Sequence, residues 1–235
     1  MNNVQLNIDY LPLSHLQNPL ILEEVIYPDM YRNYYWSDDF SAEYYVAQAR
    51  AGFIAVTEQF EGRELLIPEI QYSYALLDFE ELHVSRKVRR LLAQKGLTIE
   101  ISQDLDEVFE GINQRHQRSW FTPKYLDTLY RTMALLEDFH VVAVMVRDQG
   151  RVIAGEIGYM IGATYTSLSG FSSGERAYRN YGTAQLVLLG QYLQQEGFAF
   201  WNLGQPYMDY KLALGAKIHT RGAFLERWHE GIDLL

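Results

Sequence analysis

Val141-Val-Ala-Val-Met-Val146, Asp148-Gln-Gly150, Val152-Ile-Ala-Gly-Glu-Ile-Gly-Tyr-Met-Ile161 and Tyr165-Thr-Ser-Leu-Ser-Gly-Phe171 follow one another in the second half of the chain. β-Branched and aromatic residues suit a pleated, half-buried surface, and a short Gly-containing break between two such runs suits a hairpin. The stretch therefore predicts a β-hairpin followed by a third strand.

Working outward towards the C-terminus, Ser172-Ser-Gly-Glu-Arg-Ala-Tyr-Arg179 reads as a loop and Gly182 to Glu196 as a helix. Phe198 to Leu203 reads as a buried strand, broken at Gly204-Gln205-Pro206 before a return through Leu212-Ala-Leu-Gly215. The order strands, loop, helix, strand, with small and basic residues ahead of the helix, resembles a GCN5-related acyltransferase core. In that arrangement backbone N–H groups at the helix start hold an anion. Gln205 is a polar amide where a strand opens, the kind of place where a rigid sheet meets adaptable loop backbone and ligands bind.

Upstream, Thr122-Pro123 gives a cap and a first-turn proline for a helix carrying Leu126, Leu129, Tyr130 and Met133. Ser102 is expected to cap a helix with Leu105, Val108, Phe109 and Ile112 on one stripe. Trp120 lies between the two, either a lid over the core or a stacking platform for a base. Ser85 opens a helix that Gly96 stops, with Val88, Leu91 and Leu92 on one face. Arg86, Lys87, Arg89 and Arg90 decorate the rest, as a solvated face or a phosphate-binding one. Earlier still, Ser41 caps a helix over 42–51, and Phe53-Ile-Ala-Val56, Leu65-Leu-Ile67 and Tyr72-Ser-Tyr-Ala-Leu-Leu77 read as strands of a small unit covering roughly the first eighty residues. Pro12, Pro19 and Pro28 break the lead-in into short pieces.

The 235 residues are 48% apolar, enough for a substantial core, and contain no cysteine, which excludes disulfides and thiolate metal sites. The six His never fall at ligand spacing with one another, so no metal is expected. No run is long and apolar enough for a membrane span, and the N-terminus lacks the basic flank of a signal peptide, which makes the cytoplasm the expected compartment. Residues 1–79 hold three Arg, no Lys and twelve acids, so −9 of the net −10 sits in the first third. Phosphate binding relies on Lys and Arg, so any nucleic-acid contact must be local.

Phe79-Glu-Glu-Leu-His-Val-Ser-Arg86, Trp120-Phe-Thr-Pro123, the strand pair around Ala154-Gly155, Ser169-Gly-Phe-Ser172, and Gln205 followed by Ala213-Leu-Gly-Ala216 resemble, in order and spacing, the leucyl/phenylalanyl-tRNA–protein transferases. Ser41 to Phe53 is similar to that family's first helix and its exit, so the resemblance covers nearly the whole chain. The Glu-Glu-Leu-His-Val-Ser-Arg block is its specific piece. The resemblance implies an α+β fold: a small N-terminal α+β domain over 1–78, packed on a GCN5-related acyltransferase-like mixed-sheet domain over 79–235. It implies transfer of an amino acid from aminoacyl-tRNA to the α-amino group of a protein or to a small amine, with aminoacyl-tRNA as co-substrate and no other cofactor. Gln205 matches the family's catalytic glutamine and Trp120 the tryptophan on the terminal adenosine. Glu156, Ser169, Phe171 and Ser172 join Trp120 at the donor site, and Arg86, Lys87, Arg89 and Arg90 meet tRNA phosphates.

The sequence departs from the family at four places. Leu203-Gly204-Gln205 lacks the acid that precedes the glutamine, unless Asp209 substitutes. Ser167-Leu168-Ser169 lacks a second acid, Pro68-Glu-Ile-Gln-Tyr-Ser73 replaces a Trp-Trp-Ser-Pro segment, and Glu156 stands where an apolar residue lines the donor pocket. Loss of the two acids removes the charge partners of a basic acceptor terminus, and Glu156 disfavours Leu or Phe in favour of a polar or cationic aminoacyl group. Two other readings stay open. Arg179, Gly182 and Ala184 fit the pyrophosphate-binding pattern of acetyl-CoA-dependent acyltransferases, and the missing acids fit a homologue that binds without catalysing.

Overall fold

The computed structural model describes residues 8–116, 118–136 and 138–234. Residues 1–7, most of the stretch read for an export signal, lie outside them. The lead-in contains strand β1 (Asp9–Tyr10), short helices α1 (Leu13–Leu16) and α2 (Pro19–Ile21), a wider helical turn over Leu22–Ile26, and β2 (Tyr35–Trp36). Helix α3 (Ala42–Arg50) begins where Ser41 accepts from the Tyr44 N–H, and leads into the hairpin β3 (Ile54–Phe60) and β4 (Arg63–Glu69). The hairpin turns on Glu61 and Gly62, both at positive φ, which matches the twist of a two-residue connection.

Strand β5 (Ser73–Leu77) follows, then α4 (Arg86–Lys95), β6 (Glu100–Ser102), α5 (Asp106–Arg115) and α6 (Pro123–Leu135). The decisive stretch forms β7 (Phe139–Asp148), β8 (Arg151–Ile161) and β9 (Thr164–Ser172). Helix α7 (Tyr181–Gln195), β10 (Phe200–Asn202), α8 (Asp209–Ala213), β11 (Lys217–Thr220) and α9 (Arg221–Ile232) complete the chain.

Seven strands form one mixed sheet in the order β11-β5-β10-β9-β8-β7-β6. All neighbours are antiparallel except β9 and β10, and that parallel pair needs the α7 crossover between its members. Period-two alternation divides the core. Val141, Ala143 and Met145 face a layer containing Leu105, Val108, Ile112, Tyr125, Phe224 and Trp228, whereas Val142 and Val144 face Val88 and the α7 residues Ala184 and Val187. The α+β class with a mixed sheet therefore stands.

Three local expectations change. Strand β5, read with the first two strands as part of a small N-terminal unit, pairs instead with β10 and β11, so the large sheet takes in residues 73–77. Strand β4 does not end at Ile67 but runs through Pro68 to Glu69; on the side facing the lead-in the bonds are made by Leu66 and Ile70, to Ser37 and Asn33, so the N–H that Pro68 lacks is not called on between them. Ser102 ends β6 rather than capping α5, its hydroxyl accepting from the Asp104 N–H while Leu105 occupies the cap position.

Buried Arg221 ties the lead-in to the sheet. Its guanidinium, 1% exposed, donates to the carbonyls of Gln71, Tyr27, Asp29, Arg32 and Ile70 at 2.6–3.2 Å. All five N–H donors of the fork are used, and every acceptor is backbone. Among the described residues no helix is long and apolar enough to cross a membrane.

Candidate functional site

The sheet opens where its parallel pair ends. β9 and β10 are bonded only over Thr164–Thr166 and Phe200–Asn202; beyond that, β9 runs on to Ser172 while the other chain leaves through Leu203 and Gly204. At the same level the β8–β9 register slips. Gly158 faces Ser167 and Ile157 faces Ser169, which leaves Leu168 as an extra residue. A bulge bends the strand that carries it, and this one lies just past the last residue of β9 that pairs with β10. A cavity of about 580 Å3 occupies the opening, a size typical of small-molecule sites.

Trp120, Glu156, Ser169, Phe171 and Ser172, the five residues expected at a donor site, all line this one cavity. Trp120 stacks on Phe121 at 5.2 Å between centroids and meets Tyr125 edge-on, so its ring orientation is fixed by packing while the residue stays partly exposed at the cavity. Gly182 and Thr183 bring the start of α7 to the cavity. Asn180, before that start, has φ +70 and makes no side-chain cap, so the first N–H groups of the helix have no side-chain acceptor at that position.

Glu156 is buried at 4% exposure. Its Oε1 accepts from Tyr165 Oη at 2.9 Å and from Ser167 Oγ at 2.8 Å, and the same Ser167 oxygen accepts from Trp201 Nε1 at 2.8 Å. Its Oε2 has a single long contact, 3.5 Å, from Gln185 Nε2. Tyr165 can cross to the carboxylate because position 158 is glycine; a Cβ there would lie 2.3 Å from the phenol oxygen. Burial pushes the Glu156 carboxyl above its usual range, against the pull of its hydrogen bonds and of nearby Lys211.

Lys211 escaped the sequence reading. It lies on α8, is 5% exposed, and lines the cavity. Its Nζ donates to the Leu203 carbonyl at 2.5 Å and to the Gln205 carbonyl at 2.7 Å, tying the two ends of the break after β10 together. Gly204 makes that break possible at φ +72, a conformation open to glycine. Burial lowers the Lys211 ammonium to about 8, and Glu156 limits the fall. The available signal was a lone lysine in the otherwise apolar turn Lys211-Leu-Ala-Leu214.

Gln205 does not line the cavity, contrary to its expected place beside Trp120 and Glu156. Its side chain turns towards the N-terminal part of the chain, where Nε2 donates to Glu69 Oε2 at 2.6 Å. No described residue donates to its Oε1. Glu69 also accepts from Asn33 Nδ2 at 3.0 Å, and burial raises its carboxyl against the effect of these donors. The carboxylate beside the glutamine thus comes from β4, within the Pro68–Ser73 segment that departs from the family, and not from Asp209, which is exposed at the start of α8.

Arg86, Lys87, Arg89 and Arg90 are all exposed on α4, and none forms an ion pair among the described residues. They lie outside the cavity lining. The three residues of the pyrophosphate pattern separate: Gly182 touches the cavity, Arg179 is exposed and outside its lining, and Ala184 is in the core beneath α7. Among the described residues no three His, Cys, Asp or Glu side chains gather to hold a metal ion.

The profile of one family, described as leucyl/phenylalanyl-tRNA protein transferase, matches residues 76–229. The chain belongs to this family. Leucyl/phenylalanyl-tRNA–protein transferase of Pseudomonas fluorescens strain Pf0-1 is 28% identical over 157 residues, 66% of this chain and 66% of that one. The protein of the same description from Proteus mirabilis strain HI4320 is 29% identical over 161 residues, 67% of this chain and 66% of its own. The match therefore spans just under two thirds of these relatives' length. Among solved structures, FemX overlaps 63% of this chain and 60% of its own at a TM-score of 0.47 and 11% identity, too partial a likeness to bear on the site.

Proposed function

We propose that this chain moves an aminoacyl group from the 3′ end of an aminoacyl-tRNA to an amine, with the α-amino group of a protein as acceptor. The observation that carries the reading is the single cavity holding Trp120, Glu156, Ser169, Phe171 and Ser172, within the span matched by the family. The reaction is aminolysis of an ester. The ester is already activated, so holding the amine against it and stabilising the developing charge supply most of the barrier reduction.

Trp120 is the stacking surface for the terminal adenine, and α4 supplies phosphate contacts through Arg86, Lys87, Arg89 and Arg90. Gln205 lies outside the cavity lining but is joined to it by Lys211, which donates to its carbonyl; the match to the family's glutamine supports it as the catalytic position, with Oε1 left to accept from the attacking amine. Glu156 sets the donor: its Oε2 lacks a close partner, so an aminoacyl side chain that donates a hydrogen bond, polar or cationic, is favoured over Leu or Phe, which would leave that oxygen desolvated.

The test is transfer from a panel of charged tRNAs to a peptide amine, with acetyl-CoA as a competing donor. Transfer from a donor with a polar or cationic side chain is expected. Leu-tRNA and Phe-tRNA as the best donors would sink the role of Glu156, and acetylation without aminoacyl transfer would sink the reading itself.

A further inference from the structure

Lys211 is a buried amine in the wall of the cavity that the proposed reaction leaves without a task. It sits on α8, six residues beyond Gln205, and the break at Gly204 lies between the two carbonyls that its ammonium holds. Two of its three N–H groups are committed to the carbonyls of Leu203 and Gln205. The third is uncommitted among the described residues, and the residue lines the cavity. A lysine held in this way keeps a fixed position and has one N–H left to give, in the wall of the cavity.

We propose, building on the aminoacyl-transfer reading, that Lys211 is the general acid–base of the transfer. The amine nitrogen attacks the ester carbonyl carbon and a C–N bond forms; the bond from that carbon to the ribose 3′ oxygen breaks. Lys211 gives its free proton to the departing 3′ oxygen and takes one back from the nitrogen that attacked. One proton leaves the nitrogen and one arrives at the oxygen, so the step balances with no further reactant.

Every titratable neighbour fits this role. Glu156 on β8 opposes loss of the proton, and Tyr165 on β9 is hydrogen-bonded to that carboxylate. Tyr210 on the same helix has its ring centroid 6.0 Å from Nζ, and Arg115, His116 and Arg118 line the same cavity. An ammonium brought down to about 8 is protonated at neutral pH yet able to release its proton, where an ordinary lysine at about 10.4 releases it with difficulty.

The sign of the pH dependence follows. Activity through an acid is present while Lys211 is protonated and falls as pH rises through about 8. K211R keeps the charge and cannot deprotonate in this range, and K211M removes both proton and charge. With the donor found by the charged-tRNA panel, kcat for K211M is expected to drop about 100-fold with KM changed less than about threefold, since general acid–base contributions run from about 10² upwards. The high-pH limb of kcat/KM should vanish in both variants, which loss of a merely structural lysine would not produce.

A second measurement needs no turnover. Competitive acylation of the wild-type chain, read lysine by lysine across pH, should give Lys211 a midpoint near 8, and adenosine carrying phenylalanine in amide linkage at its 3′ position should protect it. A midpoint like that of the exposed lysines, or a high-pH limb that persists in K211R and K211M, overturns the assignment. Absence of transfer from every charged tRNA would defeat the proposed function instead, while the acylation profile still judges Lys211 on its own.

Discussion

Gln205 Nε2 donates to Glu69 Oε2 across 2.6 Å, joining residues 136 positions apart. This bond orients the amide so that Oε1 is left for another donor, and it ties β4 of the N-terminal hairpin to the proposed catalytic position. Replacing Glu69 by alanine strands the Gln205 and Asn33 amide donors. The expected cost is about 1–3 kcal/mol of folding stability, the usual range for partners left unsatisfied. Transfer should fall about tenfold through loss of the glutamine's orientation, while Glu69→Gln keeps an acceptor oxygen and most of the rate. Urea denaturation and kcat for the two variants check this, and equal rates in both would separate Glu69 from the site.

Arg221 offers a different kind of test, because its five acceptors are all carbonyls and it has no carboxylate partner among the described residues. A lysine there has three donors on a flexible stem and cannot span the carbonyls of Tyr27, Asp29, Arg32, Ile70 and Gln71 together. Arg221→Lys should therefore destabilise by about 3–5 kcal/mol, the range for breaking a buried charged network. Proteolysis should then cut first in the lead-in before residue 33, which Arg221 anchors. A variant that melts like the wild type would show that the lead-in is held by its apolar contacts alone.

Much of the fold was legible because it depends on local chemistry. Ser85 and Gly96 bracket α4 as cap and stop, Thr122-Pro123 opens α6, and the Glu61-Gly62 and Gln149-Gly150 turns fix both hairpins. The run from Val141 to Phe171 gave its three strands through alternation. What the sequence hid was pairing at a distance. Nothing in Tyr72–Leu77 says that it will lie between β10 and β11, since a strand buried on both faces reads alike in either sheet. The Leu168 bulge, at the cavity wall, is a register event between two strands. The five residues expected at a donor site, which line one cavity, were within reach because the family's motifs carry them. Glu69 and Lys211 were not, because each gains its meaning from a partner on another element.

Glu156 makes a prediction whose sign is set by its raised carboxyl. Folded and unfolded states bind the proton alike below about 4.3, the ordinary glutamate value. As pH rises through the window between that value and the raised one, the unfolded chain ionises first and the folded state loses stability. Glu156→Gln removes this loss while still accepting from Tyr165 and Ser167. The stability of the variant relative to the wild type should therefore grow as pH goes from about 4.5 to 7, by roughly 1.4 kcal/mol for each pKa unit separating the two states. Denaturation at the two pH values reads it directly, and a difference that shrinks with pH would place the carboxylate on the other side of its ordinary range.

The face of α4 is tested by salt. Arg86, Lys87, Arg89 and Arg90 are exposed and unpaired among the described residues, on a chain whose net charge is −10 and whose first third carries nearly all of it. A polyanion approaching such a chain is repelled except where cations concentrate, so these four side chains should dominate whatever electrostatic attraction tRNA has for it. Each phosphate neutralised releases condensed counterion, and the slope of log affinity against log salt counts those phosphates at about 0.7–0.9 per contact. Removing two cations, Arg86→Gln with Arg89→Gln, should lower that slope by about 1.4–1.8 and weaken tRNA binding at low salt. The charges are exposed, so thermal stability should stay within about 0.5 kcal/mol of the wild type. Filter binding of tRNA between low and moderate salt measures the slope. An unchanged slope would mean that the phosphates lie elsewhere, with Arg115 and Arg118 in the cavity wall the next cations to examine.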